Sequence, residues 1–424
     1  MLNATERETQ TAGGIPVYTM ANDHLHSFSL SLYVRGGAIC ESAERAGVSH
    51  FIEHLIFRSI NRYMDGALYA TLDRLGLAVE GVTYREFLQF SVTGAPAHFA
   101  VAARILSYAL LPFRLTAEDL RTERARVRAE IREEGERTSL DYFTDTLLYG
   151  EHPLSRPITG TAGTLRRMTA RMLEEERARL FSTPNVFFYL SGGLPEDAEA
   201  VLLAATRDVR LQKEPLRDTA VPLPAGYFKR NAAVAVKGSD KTVVRLSFDI
   251  DTARYSDAEL TLLYDILFGE GEESLFHQAL SEKTGLIYSF RGYMDLFRNI
   301  GSVGVSYEIP PRDLLPSLRL AADAIRRAKT EADAALPFVR AAYTDNAAFL
   351  FDDASALSFN RAYERYILGL PYPTVGARRE AYGRVSGARL AAIASEIFRP
   401  ENATLTLKGR RIDTEALRAI LLEM

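Results

Sequence analysis

Between Val209 and Lys229 the apolar periodicity of the chain lapses, and Pro215, Pro222 and Pro224 follow in quick succession, the composition of an extended connector. A chain of 424 residues exceeds what one core of ordinary size absorbs, and this break divides it into halves of similar length. The expected organisation is a first domain over 1–210, a linker over 211–229 and a second domain over 230–424.

Both halves use the same grammar. In the first, strand-like alternation at Ile15 to Met20 and Phe28 to Val34 gives way to Gly36-Gly37 and then to Val48, Phe51, Ile52, Leu55 and Ile56. Those spacings of three and four are the apolar stripe of an amphipathic helix. A helix near Ala67 to Leu75, strands at Ala78 to Tyr84 and Phe87 to Thr93, and a helix from Pro96 to Leu111 follow. Thr116 then caps a long charged helix from Ala117 to about Glu136, and Val186 to Leu190 and Glu196 to Arg207 read as strand and helix. The second half predicts strands at Val243 to Ile250, Ile287 to Tyr293, Val303 to Ile309 and Ala403 to Lys408, with helices between. Two α+β domains result. Duplication would explain the matching lengths, although no repeated motif demonstrates it and strand order is not readable from sequence.

Composition narrows the function. Lys and Arg number 51 against 55 Asp and Glu, a net charge of -4 with no whole-chain field for nucleic acid or an anionic membrane. The lone Cys40 excludes an internal disulfide and a cysteine cage, so any metal needs His and carboxylate ligands. Cys40 itself reads as a small buried apolar residue. Met1 to Ala12 is polar, without the apolar core of a signal peptide, and the most apolar stretch, around Ala100 to Phe113, is short and contains Arg104. A soluble cytoplasmic protein is expected.

The chemistry concentrates at His50-Phe51-Ile52-Glu53-His54, inside the first predicted helix. Positions i, i+3 and i+4 share a face, so two imidazoles and a carboxylate converge while Phe51, Ile52 and Leu55 serve packing. With 7 His and 55 acidic residues in the chain, about 0.015 such matches arise by chance. H-x-x-E-H is the inverzincin order, in which the two His bind zinc and the Glu is the general base. A third ligand must come from elsewhere, and the charged helix offers Glu118, Glu123, Glu130, Glu133, Glu134 and Glu136. Glu123 and Glu130, two turns apart, share a face. For any single one of them, ion pairing on a solvated helix is the better reading.

This arrangement resembles the pitrilysin, or insulinase, family of zinc peptidases, which includes the mitochondrial processing peptidase. That family follows H-x-x-E-H with a zinc-binding Glu about seventy-six residues later and a Glu seven residues before it, and Glu130 and Glu123 meet both spacings. The resemblance implies two similar α/β-roll domains, each a mostly antiparallel sheet covered by helices. It makes His50, His54 and Glu130 the Zn2+ ligands, Glu53 the catalytic base, and Glu123 a carboxylate orienting a ligand imidazole. Gly36-Gly37, Glu41, Gly47, His152-Pro153-Leu154, Arg156-Pro157, Gly160-Thr161, Pro184 and Asn185 extend the likeness along the chain.

Two departures stand out. Where the family has N-A-x-T on the edge strand that pairs with substrate, this chain has Glu80-Gly81-Val82-Thr83. Main-chain pairing would survive that change, and Glu80 would favour basic side chains in a bound peptide. Within R-E-K-x-G-L-x-Y, Tyr288 matches, but Ser281 replaces the Arg and Arg291 is out of register. Losing a cationic donor weakens oxyanion stabilisation. The resemblance therefore implies an endopeptidase for short or unfolded peptides, such as a leader or precursor peptide, in a chamber formed by two subunits. A homologous partner would supply the missing Arg/Tyr pair, with a homodimer working through Tyr288 as the other arrangement. The alternative is a non-catalytic scaffold or partner subunit. His24, His26, His98 and His277 read as ordinary surface or packing residues.

Overall fold

A computed structural model describes residues 2–133, 140–238, 240–410 and 412–424. They form two compact units: Met1–Arg137 with Arg156–Thr219 and Ala348–Val375, and Thr138–Ser155 with Ala220–Ala347 and Gly376–Met424.

The first unit is built on a six-stranded sheet of β1 (Arg7–Gln10), β2 (Pro16–Ala21), β3 (Phe28–Arg35), β4 (Ala78–Thr83), β5 (Phe87–Gly94) and β6 (Val186–Gly192). Its order is β1-β2-β6-β3-β5-β4, with β2 and β6 parallel and the other pairs antiparallel. On one face lie α1 (Val48–Tyr63), α2 (Leu68–Leu75), α3 (Phe99–Ala109) and α4 (Ala117–Glu133), whose apolar residues share a core with Phe28, Leu30, Leu32 and Val34 of β3. The alternate residues of β3 serve the other face, where Ser31 and Tyr33 hydrogen-bond Ser358 of the helix Ala354–Arg361. A strand covered on both faces is buried nearly throughout, and β3 is.

The second unit carries β7 (Ala232–Lys237), β8 (Thr242–Ile250), β9 (Phe290–Leu296), β10 (Gly301–Ile309) and β11 (Ala403–Gly409) in the order β7-β11-β8-β10-β9. Val244, Leu246 and Phe248 of β8 pack in one core with the helices Asp257–Phe268, Leu314–Arg340 and Gly387–Ile397. Strand for strand this repeats β2-β6-β3-β5-β4, including the single parallel pair, β7 with β11. A repeat that no sequence motif reveals is thus plain in the topology.

Three strands differ from expectation. β1 is short, exposed and polar, so it has no alternation to detect, and β7 lies just past the connector. β9 begins three residues later than Ile287, because the N–H groups of Leu286 and Ile287 both turn back to the Leu280 carbonyl, at 2.9 and 3.2 Å. Among the described residues no helix is long and apolar enough to cross a membrane.

Candidate active site

α1 enters the core through Val48, Phe51, Ile52, Leu55, Ile56 and Ile60, and this fixes the azimuth of its polar residues. α4 lies along that polar side, its buried face marked by Asp119, Glu123, Val127 and Ile131 at four-residue intervals. Thr116 and Asp119 cap α4 reciprocally: the Asp119 N–H donates to Thr116 Oγ1 at 3.1 Å, and the Thr116 N–H to Asp119 Oδ2 at 2.9 Å.

The two helices meet in a polar seam. Arg62 donates through Nε and Nη2 to both Asp119 oxygens, each at 3.0 Å. Arg58 donates to Glu123 Oε1, and His54 Nδ1 lies 3.2 Å from Glu123 Oε2. At the far end His50 Nε2 is 3.5 Å from Glu130 Oε1, and His54 Nε2 is 3.4 Å from Glu130 Oε2. One ligand atom from each of these three residues lies within 4.8 Å of the others, the only such metal-competent group among the described residues.

The donor set fits zinc. Tetrahedral ligands at about 2.0–2.2 Å from an ion stand roughly 3.3–3.6 Å from one another, the range of both His–Glu130 separations. Glu123 engages His54 Nδ1 and so directs His54 Nε2 to the cluster. His50 Nδ1, by contrast, is buried with no protein partner.

The metal-free charge distribution follows from these contacts. Burial disfavours a charged His54, but Glu123, Glu53 and Glu130 outweigh it and hold the imidazole above its usual range. Hydrogen bonding to His50 keeps Glu130 low against the opposing effect of burial. Burial would raise Glu123, yet its bonds to His54 and Arg58 bring it below the usual carboxylate value. Glu53 goes the other way: burial raises it, and His50, His54 and Thr83 only partly compensate.

Glu53 faces β4, the free edge of the sheet. Thr83 is buried there and donates its hydroxyl to Glu53 Oε2 at 3.1 Å, whereas Glu80 is exposed. Gly81 lies between them. A Cβ at Gly81 would stand 2.5 Å from the Phe57 ring and 3.1 Å from Glu53 Oε1, which accounts for glycine where the family pattern has Ala.

Of the remaining residues singled out by sequence, Glu118 and Glu133 are exposed on α4, and Glu134 and Glu136 lie outside the described residues. In the second unit Tyr288 is 99% exposed, Ser281 is half-buried and Arg291 is exposed on β9. His24 and His26 are exposed, His98 and His277 half-buried, and Cys40 is a half-buried free thiol. Sequence reasoning passed over Arg58 and Arg62, and took Asp119 only as an acidic residue in the first turn of its helix. Their signal is the four-residue continuation of His54 through Arg58 to Arg62, matched on α4 by Asp119 and Glu123.

Residues 17–162 match the family described as "Insulinase (Peptidase family M16)", and residues 167–336 match the one described as "Peptidase M16 inactive domain". The chain belongs to the insulinase, or M16, peptidase family. Among M16 relatives, an uncharacterized zinc protease of Mycobacterium bovis is 26% identical over 75% of this chain and 74% of its own. The uncharacterized zinc protease YmxG of Bacillus subtilis is 21% identical over 69% and 71%. A protease from Helicobacter pylori shares the fold with a TM-score of 0.85 at 14% identity, covering 95% of this chain and 99% of that one. So does a peptidase M16 inactive domain from Pseudomonas fluorescens, with a TM-score of 0.82 at 18% identity over 97% and 99%.

Proposed function

We propose that this protein is a zinc-dependent endopeptidase for short or unfolded peptides, such as a leader or precursor peptide. The observation that carries the reading is the convergence of His50, His54 and Glu130, with Glu53 presented by the same helix face toward the sheet edge. His50, His54 and Glu130 would hold the zinc, which when bound polarises a carbonyl and acidifies water.

The protein's own groups do the rest. An extended peptide adds to the free edge of β4 through main-chain hydrogen bonds, with Glu80 exposed beside it to favour basic side chains. Thr83 holds Glu53 Oε2, leaving Oε1 to take the proton of the attacking water and pass it to the departing amine. Burial favours the protonated form of Glu53, which suits a group that must receive a proton and release it again. Glu123 keeps His54 in the tautomer and orientation that present Nε2.

Ser281 stands where the family pattern has a cationic residue, and Tyr288 is fully exposed. This favours a catalytic subunit that works with a homologous partner supplying an Arg/Tyr pair. The test is cleavage of a quenched unstructured peptide by the chain alone, with zinc content measured on the same sample. Zinc near one per chain and cleavage that Glu53→Gln abolishes would support the peptidase; cleavage surviving Glu53→Gln would refute it. Zinc with little cleavage would support the need for a partner, and full activity of a homodimer would remove it.

A further inference from the structure

The loop that leads into α1 contains a buried carboxylate for which the proposed reaction has no use. Glu41 Oε2 accepts the Gly47 N–H and Oε1 the Ser49 N–H, both at 2.7 Å. α1 starts at Val48, and the first N–H groups of any helix have no partner inside it. The usual remedy is a side chain on the preceding residue, but that residue is Gly47, in the left-handed region at φ +87. A carboxylate from upstream in the loop does the capping instead, and its charge suits the positive end of the helix dipole. Burial pushes Glu41 up to about 7 against those two donors, so the arrangement is held at a cost.

The loop is itself clamped. Arg156 Nη1 donates to the Glu41 carbonyl at 2.6 Å, and Arg85 donates to the Arg156 carbonyl. Gly47 and Gly160 approach so closely that a Cβ on Gly47 would lie 2.6 Å from the Gly160 Cα.

Ser49 immediately precedes His50, so the N–H that Glu41 grips belongs to the turn from which His50 projects. The two ligand imidazoles are oriented differently. His54 is held through Nδ1 by Glu123, whereas His50 Nδ1 has no protein partner, so that apart from the Nε2 contact with Glu130 the backbone sets the position of His50. We infer that Glu41 is a positioning residue of the metal site, fixing the first turn of α1 so that His50 Nε2 meets Glu130. The inference rests on the proposed zinc site.

The test compares the full-length chain with Glu41→Gln, Glu41→Asp and Arg156→Met, measuring zinc affinity by chelator competition and the visible spectrum of the cobalt(II)-substituted protein. In Glu41→Gln the amide N–H₂ faces a backbone N–H, and zinc affinity is expected to fall about 10- to 100-fold with a changed cobalt spectrum. Glu41→Asp, which keeps the charge but reaches fewer donors, should fall between Glu41→Gln and the parent. A cap with no bearing on the metal would lower only the unfolding temperature. Zinc affinity within about twofold of the parent and an unchanged cobalt spectrum in folded Glu41→Gln would therefore overturn the inference. Should Glu41→Gln fail to fold, Arg156→Met, which releases the Glu41 backbone, decides in the same terms. A parent that binds no zinc defeats the metal site and this inference together; a parent that binds it, with variants to match, defeats the inference alone.

Discussion

The Thr83 hydroxyl donates to Glu53 Oε2 across 3.1 Å, joining the last residue of the edge strand to the carboxylate between the two histidines of α1. The residue expected to touch substrate thus touches the proposed base. Thr83→Val keeps shape and removes the donor. A hydrogen bond to a charged group contributes about 1.5–3 kcal/mol, so kcat should drop roughly 10- to 100-fold with zinc content unchanged. Thr83→Ser should recover most of the loss, and kinetics with metal analysis on the same preparations would check it.

Gly81→Ala places a methyl group against the Phe57 ring and beside Glu53 Oε1. Displacing a base by a fraction of an ångström is expected to lower kcat about tenfold. The double variant Gly81→Ala with Phe57→Leu, which frees the space the ring occupies, should regain activity. No recovery would mean that the methyl group acts on Glu53 directly.

Zinc should stabilise the fold through α1 and α4 together, since His50 and His54 come from one and Glu130 from the other. At free zinc a hundredfold above Kd the gain is about 2.7 kcal/mol. Calorimetry should therefore show a rise in unfolding temperature on adding zinc to the chelated protein. Glu130→Ala should abolish that rise, whereas Glu53→Gln should retain it.

Asp119 ties α4 to α1 through Arg62. Burial works against its charge, but Arg62 and Thr116 prevail and bring its pKa down to about 2. A carboxylate depressed in the folded state stabilises above its unfolded value near 3.8, and that contribution disappears as pH falls through about 2. Asp119→Asn should therefore destabilise by about 1 kcal/mol at neutral pH, Arg62 being half exposed. The gap between variant and parent should close on titration toward pH 2, as followed by thermal unfolding.

What sequence made legible was local. α1 could be read because Val48, Phe51, Ile52, Leu55 and Ile56 repeat with the helical period, and the H-x-x-E-H face follows from the same geometry. The link to Glu130 required a spacing borrowed from a family, because no local pattern joins residues on different helices. The same limit hid the roles of Glu41, Arg58, Arg62 and Asp119, which exist only once α1, α4 and the loop before α1 are side by side. The start of β9 was misplaced for another reason. Ile287 and Tyr288 have strand-forming side chains, but hydrogen bonding of the Leu286 and Ile287 N–H groups to Leu280 decides their conformation.

The repeated strand order has a consequence for how this chain should be compared with others. Gly81 on β4 has its counterpart on β9 in Gly292, where a Cβ would stand 2.2 Å from the Phe268 carbonyl oxygen and 2.7 Å from the Tyr264 hydroxyl. One glycine adjoins a histidine pair and the other does not, yet both let an edge strand lie close against a covering helix. Their presence therefore diagnoses architecture rather than activity. A search keyed to that position would gather chemically silent copies along with working ones, and only the residues on the helix behind the strand would tell them apart.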